Sequence, residues 1–475
     1  MTRAPVTESS PEPGSFRDRG SRVFYRDGAV LRGLSPPALR NWQALTRTTF
    51  FQGFTAEGRL VKTEAVDHAI APAESELGAW AGVLRHEPIP FVSYPYEWSF
   101  SMLQDAARLQ LDLLLAALEE DMTLKDASSF NIQWHGARPV FIDIPSFELY
   151  QAGHPWAGYR QFCQLFLYPL LLQAYKDVAF HPWLRGSIDG ITPEQVNGLL
   201  SWRDLFRPGV FVHVFLQSTA QRRYGATQAD VKSELRSAGF GKPLIVANVR
   251  RLRALVDRLS WKPKQSAWSG YYQEHAYSAE DHAVKTAFVA DAARRAPRRL
   301  VWDLGANTGV FSRIAAEQGA YVVAADSDHA TIDRLYASLR EDRQPRILPL
   351  VCNLADPSPR LGWRGLERKS LVDRGRPDLV LCLALIHHMV ITANIPLRDF
   401  VDWLAELGGD LVIEFVTKAD PMVKTLLRNK DESYPDYEVS WFEECLGRRF
   451  RIQERRELPS QTRILYFAAA QASTA

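Results

Sequence analysis

Two carboxylates and two glycines in the middle of the chain have the spacing of a small-ligand site. The segment VWDLGANTGVFS, residues 301–312, places Asp303 at the end of an apolar run, and Gly305 and Gly309 follow it. Glycines have no Cβ, so the backbone there can approach a ligand closely. The next apolar run, YVVAA, ends at Asp326, where a carboxylate can accept hydrogen bonds from a ribose diol. The pattern predicts a nucleoside-binding site.

Two kinds of cofactor could use such a site. A dinucleotide requires Gly-x-Gly-x-x-Gly, which places its pyrophosphate against a helix N-terminus. The corresponding positions here are Gly305, Asn307 and Val310, and Asp303 would add negative charge near the phosphates. S-adenosylmethionine instead carries an ammonium and a sulfonium group, which a carboxylate attracts. The residues therefore favour S-adenosylmethionine over a dinucleotide.

Residues 270–470 resemble a class I S-adenosylmethionine-dependent methyltransferase. The run DLGANTG resembles the first motif of that family, and AADSD at 324–328 resembles the second. RPDLVLCLALIHHM at 376–389 resembles the fourth strand and the segment after it. The resemblance implies S-adenosylmethionine as the cofactor. The residues that would contact it are Asp303, Gly305, Asn307, Gly309, Asp326 and Asn353.

Three further side chains are candidates for catalysis. Methyl transfer mainly requires an aligned acceptor, and a base is needed only if the acceptor is protonated. His387 and His388 follow the fourth predicted strand and Glu414 ends the fifth, so all three would lie at the ligand edge of the sheet. A purely structural role is the alternative for each of them. Tyr277 and Lys285, further upstream, are weaker candidates to face the cofactor.

The elements that must position these side chains alternate along residues 266–475. A helix at 278–293 is followed by strand and helix segments in turn, which is typical of a parallel sheet with crossover helices. A hairpin near 450–468 would close the sheet with an antiparallel strand. The five preceding strands are predicted over 299–304, 321–325, 346–352, 378–385 and 410–415. The predicted fold class is α/β, with a Rossmann-like seven-stranded methyltransferase sheet preceded by an α+β domain.

The N-terminal half, residues 21–265, contains a second pattern of polar residues. Asp126 is followed by Asn131 and then by Asp143. This spacing resembles the catalytic segment of protein-kinase-like and aminoglycoside-phosphotransferase-like proteins. The resemblance implies that Asp126 orients an acceptor hydroxyl, that Asn131 and Asp143 hold Mg²⁺, and that Lys62 binds phosphate. In the alternative interpretation these residues cap turns, and the domain recognises the acceptor or a partner.

Composition excludes several classes of protein. The chain has 475 residues, 57 basic and 55 acidic, and a formal net charge of +2, which gives no overall attraction to nucleic acid or anionic membranes. Residues 1–20 form a polar tail without a signal-peptide pattern, and the apolar run 162–172 is too short to cross a bilayer. The four cysteines lie far apart, so neither a metal site nor a disulfide framework is indicated.

These observations predict a cytoplasmic methyltransferase of two domains, 21–265 and 266–475. Its acceptor would be a small molecule or a glycan-like compound. The C-terminal half also loosely resembles methyltransferases of bacterial secondary-metabolite or nodulation-factor loci. Two alternatives remain open. One is a non-catalytic scaffold with a degenerate kinase-like module, and the other is a phosphotransferase fused to a methyltransferase domain.

Overall fold

The chain folds into two compact units, each described separately below. A computed structural model describes residues 10–67, 80–219, 241–263, 278–428, 430 and 434–471. Tyr277 and residues 1–9 of the predicted tail lie outside these ranges. The N-terminal unit consists of the described parts of 1–134, 138–262 and 360–368. The C-terminal unit consists of those of 135–137, 263–359 and 369–475.

The described residues of the N-terminal half contain a five-stranded antiparallel sheet in the order β1-β2-β3-β5-β4 and two strand pairs, β6-β9 and β7-β8. The strands are β1 Ser10–Pro11, β2 Ser21–Arg26, β3 Ala29–Leu34, β4 Thr63–Val66, β5 Gly82–His86, β6 Met122–Leu124, β7 Ile132–His135, β8 Arg138–Phe141 and β9 Phe147–Leu149. Asp27 and Gly28 both have positive φ, +50° and +77°, which suits the two-residue turn between β2 and β3.

One helix of the N-terminal unit is long and largely buried, and it packs against the helices Tyr168–Lys176 and Lys242–Arg258. That helix, α3, begins after Ser99, whose side chain accepts a hydrogen bond from Met102 N. The α-helices are α1 Pro36–Leu45, α2 Thr49–Ala56, α3 Phe100–Glu119, α4 Tyr159–Phe162, α5 Tyr168–Lys176, α6 His181–Gly186, α7 Pro193–Leu199 and α8 Lys242–Arg258, with π-helical turns at Cys163–Leu167 and Phe211–Phe215. The apolar run 162–172 is buried within α4, the first π-helical turn and α5. In the described parts of the chain, no helix combines the length and apolar character that crossing a bilayer requires.

The C-terminal unit contains the seven-stranded methyltransferase sheet that the sequence predicts. Its order is β12-β11-β10-β13-β14-β16-β15, and β16 runs in the direction opposite to that of the other six strands. The strands are β10 Leu300–Leu304, β11 Tyr321–Asp326, β12 Ile347–Val351, β13 Leu379–Cys382, β14 Asp410–Val416, β15 Phe450–Glu457 and β16 Arg463–Ala470. Pro349 lies in β12 at the edge of the sheet, where proline is tolerated because its missing N–H breaks no ladder.

The strand order reverses direction between β10 and β13. In open α/β sheets, ligands bind outside the carboxyl ends of the strands at such a switch point. The helices that connect or flank the strands are α9 Ala279–Arg294, α10 Val310–Glu317, α11 His329–Glu341, α12 Leu397–Glu406, α13 Pro421–Leu427 and α14 Val439–Arg449, with a π-helical turn at His388–Thr392. The topology thus brings the loops after β10, β11, β12 and β13 to one edge of the sheet.

Candidate functional site

The loop after β10 is a tight turn that has glycine at two positions of positive φ. Gly305 and Gly309 have φ values of +79° and +76°, which residues with a Cβ rarely adopt. A Cβ on Gly309 would lie 2.6 Å from Leu335 Cδ1. The amides of Gly305 and Ala306 donate to Ala325 O at 2.8 and 3.0 Å, so the loop is fastened to the end of β11.

Asp326 joins the loops after β10 and β11. Its Oδ2 accepts a hydrogen bond from Asn307 N at 3.0 Å, and its Oδ1 accepts one from Asp328 N at 2.9 Å. Burial raises the pKa of Asp326 above its ordinary value, although the backbone donors favour the ionised form. Each carboxylate oxygen has a second lone pair, so Asp326 can accept further bonds from a ligand in a fixed orientation.

A cavity of about 240 Å³ lies at the carboxyl ends of β10 to β13. The carboxylates of Asp326 and Asp328 are its acidic groups, and no Lys or Arg occurs among the described residues that line it. The amides of Asn307 and Asn353 also line it, together with the apolar side chain of Met389. The cavity is therefore suited to a ligand that carries positive charge and an apolar ring.

Four of the six predicted cofactor residues line this cavity. They are Gly305, Asn307, Asp326 and Asn353. Gly309 shapes the turn without lining the cavity. Asp303 is 2% exposed and accepts a hydrogen bond from Ser312 Oγ of α10 at 2.6 Å. Burial raises the pKa of Asp303 to about 6. Asp303 thus holds the first turn of α10 beneath the loop, and its direct contact with a cofactor remains a prediction.

The two predicted histidines occupy different environments. His388 begins the π-helical turn after β13 and lines the cavity, whereas His387 is 1% exposed and does not. Their ring centroids are 4.1 Å apart. Burial and the charge of Arg463 lower the pKa of His388 to about 4, and burial lowers the pKa of His387 well below its ordinary value. Both imidazoles are neutral at pH 7, and of the two only His388 reaches the cavity.

Glu414 and Lys285 belong to a buried ion-pair network and do not line the cavity. Lys285 Nζ lies 2.6 Å from Glu414 Oε2, and both side chains are at most 2% exposed. Arg463 Nη1 lies 3.4 Å from Glu414 Oε1, and its Nε lies 2.8 Å from Asp420 Oδ2. The network connects α9, β14, β16 and the start of α13. This arrangement corresponds to the structural alternative for Glu414.

Most of the lining residues were not singled out from the sequence, and two of these, Ala384 and Asp328, have a particular backbone role. Ala384, in the loop after β13, has a φ of +51°, which costs a residue with a Cβ about 1–2 kcal/mol. Such strain is often found at functional sites, yet an alanine gives no sequence signal of it. Asp328 is the N-cap of α11 and accepts a hydrogen bond from Thr331 N at 2.7 Å. Its position before the helix is a capping signal that could have been found.

The N-terminal unit brings Asp126, Asn131 and Asp143 together, as their spacing predicts. Asp126 Oδ1 accepts a hydrogen bond from Asn131 Nδ2 at 2.8 Å. Ser146 Oγ lies 2.9 Å from Asp126 Oδ1 and 2.6 Å from Asp143 Oδ2. Burial and the charge of Asp143 raise the pKa of Asp126 to about 6. Burial also acts to raise the pKa of Asp143, but Arg32 and Ser146 outweigh it and the pKa lies below its ordinary value.

The cation paired with Asp143 is the guanidinium of Arg32. Arg32 Nη1 lies 2.6 Å from Asp143 Oδ1. Within the described ranges, no group of three His, Cys, Asp or Glu side chains is placed to hold a metal ion. Lys62 is exposed and is not among the residues lining the cavity at Asp126 and Asp143. The roles of Asp126, Asn131 and Asp143 in orienting an acceptor and binding magnesium stay predictions, and Lys62 does not line the cavity that these residues share.

Comparisons with known proteins give one relative over the full length. The chain is 33% identical over 476 residues to nodulation protein NoeA of Rhizobium meliloti (strain 1021), with 98% of each chain covered. No family model matches it.

The similar solved structures include methyltransferases and cover less than half of the chain. N-methyltransferase NodS from Bradyrhizobium japonicum WM9, in complex with S-adenosyl-L-homocysteine, is 12% identical over 44% of this chain and 94% of its own, with a TM-score of 0.31. The bifunctional kinase-methyltransferase WbdD is 20% identical over 42% of this chain and 41% of its own, with a TM-score of 0.30. Similarity at this level carries no argument about function.

Proposed function

The chain belongs to the NoeA family, and on that premise we propose that its C-terminal unit is an S-adenosylmethionine-dependent methyltransferase. The charge of the cavity carries the proposal. Asp326 and Asp328 line it, and its described lining contains no Lys or Arg. A dinucleotide would bring a negatively charged pyrophosphate into this field, whereas S-adenosylmethionine brings an ammonium and a sulfonium group. The cavity is therefore the better match for the second cofactor.

The residues present fit the parts of this cofactor. Asp326 is oriented by two backbone amides and would accept hydrogen bonds from the ribose hydroxyls. Asn353 and Met389 would form the adenine pocket, with an amide for the ring edge and an apolar side chain for its face. When bound, S-adenosylmethionine supplies a methyl carbon that is already activated by its sulfonium group.

His388 is the cavity residue that could handle a proton. Its pKa lies near 4, so the imidazole is neutral at pH 7 and a ring nitrogen can accept a hydrogen bond from a hydroxyl or amine acceptor. The same low pKa makes it a weak base, so it would orient the acceptor more effectively than it would remove its proton. Glu414 is ion-paired with Lys285 and Arg463, so its role would be to stabilise the end of β14. The remaining work of the site is to align the acceptor and exclude water.

The acceptor we propose is a small molecule or a glycan-like compound. NoeA is a nodulation protein, and we assign the acceptor of this chain to the same process. All four cysteines are buried and none of them forms a disulfide bond, which supports a reducing compartment, the cytoplasm.

Binding and transfer experiments separate this function from its alternatives. The full chain is titrated with S-adenosylmethionine and, separately, with NAD⁺ by calorimetry. We expect binding of the first and none of the second, and the reverse result would overturn the proposal. Cell extract is then incubated with the protein and methyl-labelled S-adenosylmethionine, and a labelled product is expected. Cofactor binding without any labelled product would instead favour the non-catalytic scaffold.

A further inference from the structure

The N-terminal unit contains a second cavity that methyl transfer does not explain. Its volume is about 510 Å³, larger than the cavity of about 240 Å³ at the carboxyl ends of β10 to β13. All of its lining residues belong to the N-terminal unit, including Glu367 and Arg368 of the segment 360–368. Asp126, Asn131 and Asp143 form part of its wall.

The charges around this cavity nearly cancel. Four basic and five acidic side chains line it. Three of the basic groups are paired within the wall, one of them being Lys125, whose Nζ lies 4.0 Å from Asp18 Oδ2. Arg32 Nη1 lies 2.6 Å from Asp143 Oδ1, and Arg17 Nη2 lies 2.6 Å from Glu367 Oε1. A polyphosphate would carry several negative charges into a lining that is already slightly negative. The balance therefore favours a ligand without net charge.

The wall also offers hydrogen-bonding groups of both kinds. Asp126 Oδ1 is occupied by Asn131 and Ser146, but no donor within the described ranges is bonded to Oδ2, which can accept a hydrogen bond. Gln161 Oε1 accepts a hydrogen bond from Ala127 N at 2.7 Å, which fixes the amide and leaves Nε2 as a donor. A hydroxyl group donates and accepts at once, so neighbouring hydroxyls can satisfy both groups.

An aromatic ring completes the lining. Phe130 is half-buried and borders the cavity, and the guanidinium of Arg368 lies 3.9 Å from its ring centroid. We propose that this cavity binds a neutral saccharide, with hydroxyls on Asp126 and Gln161 and a C–H face near Phe130. The proposal goes beyond methyl transfer and does not rest on the cofactor site.

The test uses the full chain and saturation-transfer NMR. The probes are three neutral trisaccharides (cellotriose, maltotriose and chitotriose) and, separately, ATP with Mg²⁺. We expect at least one trisaccharide to bind and ATP with Mg²⁺ not to bind. Failure of all three trisaccharides, or binding of ATP with Mg²⁺ in their place, overturns the proposal.

One isosteric substitution locates the binding. Asp126→Asn can keep its oxygen toward Asn131 and Ser146 while it replaces the acceptor Oδ2 with a donor, so the fold should be retained. We expect at least a tenfold loss of trisaccharide affinity, with the melting temperature and S-adenosylmethionine affinity unchanged. Asp121→Asn, an exposed carboxylate of the same unit, is the matched control.

An Asp126→Asn protein that folds and binds the saccharide as tightly as the original chain places the binding elsewhere and overturns the proposal. If the chain binds saccharide but no S-adenosylmethionine, the methyltransferase function fails and the saccharide site stands.

Discussion

At the scale of single residues, Asp326 has the strongest claim to a role in cofactor binding. Its two oxygens are each held by a backbone amide, and these amides come from different loops. A carboxylate fixed in this way loses little entropy when a ligand hydroxyl binds to it. Asp303, by contrast, acts through Ser312 on the position of α10.

The first prediction concerns this carboxylate. Asp326→Ala should weaken S-adenosylmethionine binding by about 1–3 kcal/mol, or roughly 5- to 150-fold, because hydrogen bonds to a charged group are lost. Calorimetry measures the affinity, and thermal unfolding checks the fold. Asp399→Ala removes an exposed carboxylate of the same unit and should leave the affinity as it was. Equal affinities for the two variants would exclude the assigned role.

The second prediction concerns the pH dependence of stability. The pKa of His388 is lowered from 6.5 to about 4 in the folded chain, so between these values the unfolded state binds more protons. Stability contributed by neutral His388 is therefore fully present above about pH 6.5 and lost as the pH falls toward 4. In urea unfolding, the free energy of unfolding of the original chain should fall by up to about 3 kcal/mol as the pH falls from 7.5 to 4.5. The His388→Gln variant should lack this contribution. If the free energy of unfolding changed with pH equally in both proteins, the lowered pKa of His388 would be contradicted.

At the scale of elements, substitutions at the two glycines of the loop after β10 distinguish the cost of backbone strain from the cost of overpacking. Both Gly305 and Gly309 have positive φ, but a Cβ on Gly305 would lie 3.5 Å from Leu385 Cδ1, in ordinary contact, whereas one on Gly309 would meet Leu335 at 2.6 Å. Gly305→Ala should therefore cost about 1–2 kcal/mol from strain alone. Gly309→Ala should cost about 1–3 kcal/mol more, because it also overpacks α11. Equal losses in urea unfolding would show that the packing of Leu335 does not matter.

The ion-pair network between α9 and the sheet provides another prediction at this scale. Lys285→Met leaves Glu414 buried with one partner fewer and should cost about 3–5 kcal/mol of unfolding free energy. Adding Glu414→Gln should recover part of this loss, because the buried charge that has lost Lys285 is removed. Denaturant unfolding of both single variants and the double variant measures the coupling. Strictly additive losses would mean that the two groups do not interact.

Some of these elements can be predicted from the sequence and others cannot. The strands of the C-terminal sheet are predicted because buried parallel strands are continuous apolar runs, and even Pro349 lies at the tolerant edge. The cofactor loop is predicted because its turn requires glycine. Arg32 beside Asp143 and Ala384 in the cavity wall are not predictable, because an ion pair across 111 positions and a strained alanine leave no local pattern.

At the scale of the whole molecule, the chain passes between its two units more than once. Residues 360–368 fold with the N-terminal unit, although the sequence on both sides of them belongs to the C-terminal unit. Within the N-terminal unit, Arg17 Nε and Nη2 donate to the two oxygens of Glu367 at 2.7 and 2.6 Å. This bidentate pair fastens the segment near its end.

The last prediction tests that attachment. Arg17→Ala should free the segment, and trypsin should then cut after Arg364, which is exposed, several times faster than in the original chain. Mass spectrometry of timed digests measures the rate. Arg47→Ala removes an exposed arginine of the same unit and should change nothing. Identical digestion of the two variants would show that other contacts hold residues 360–368.

The segment 360–368 also determines how the gene can be divided. If the chain is divided once, near residue 263, the N-terminal half lacks residues 360–368 of its own unit. The C-terminal half then carries these nine residues without the unit with which they fold. Neither half is then a complete folding module.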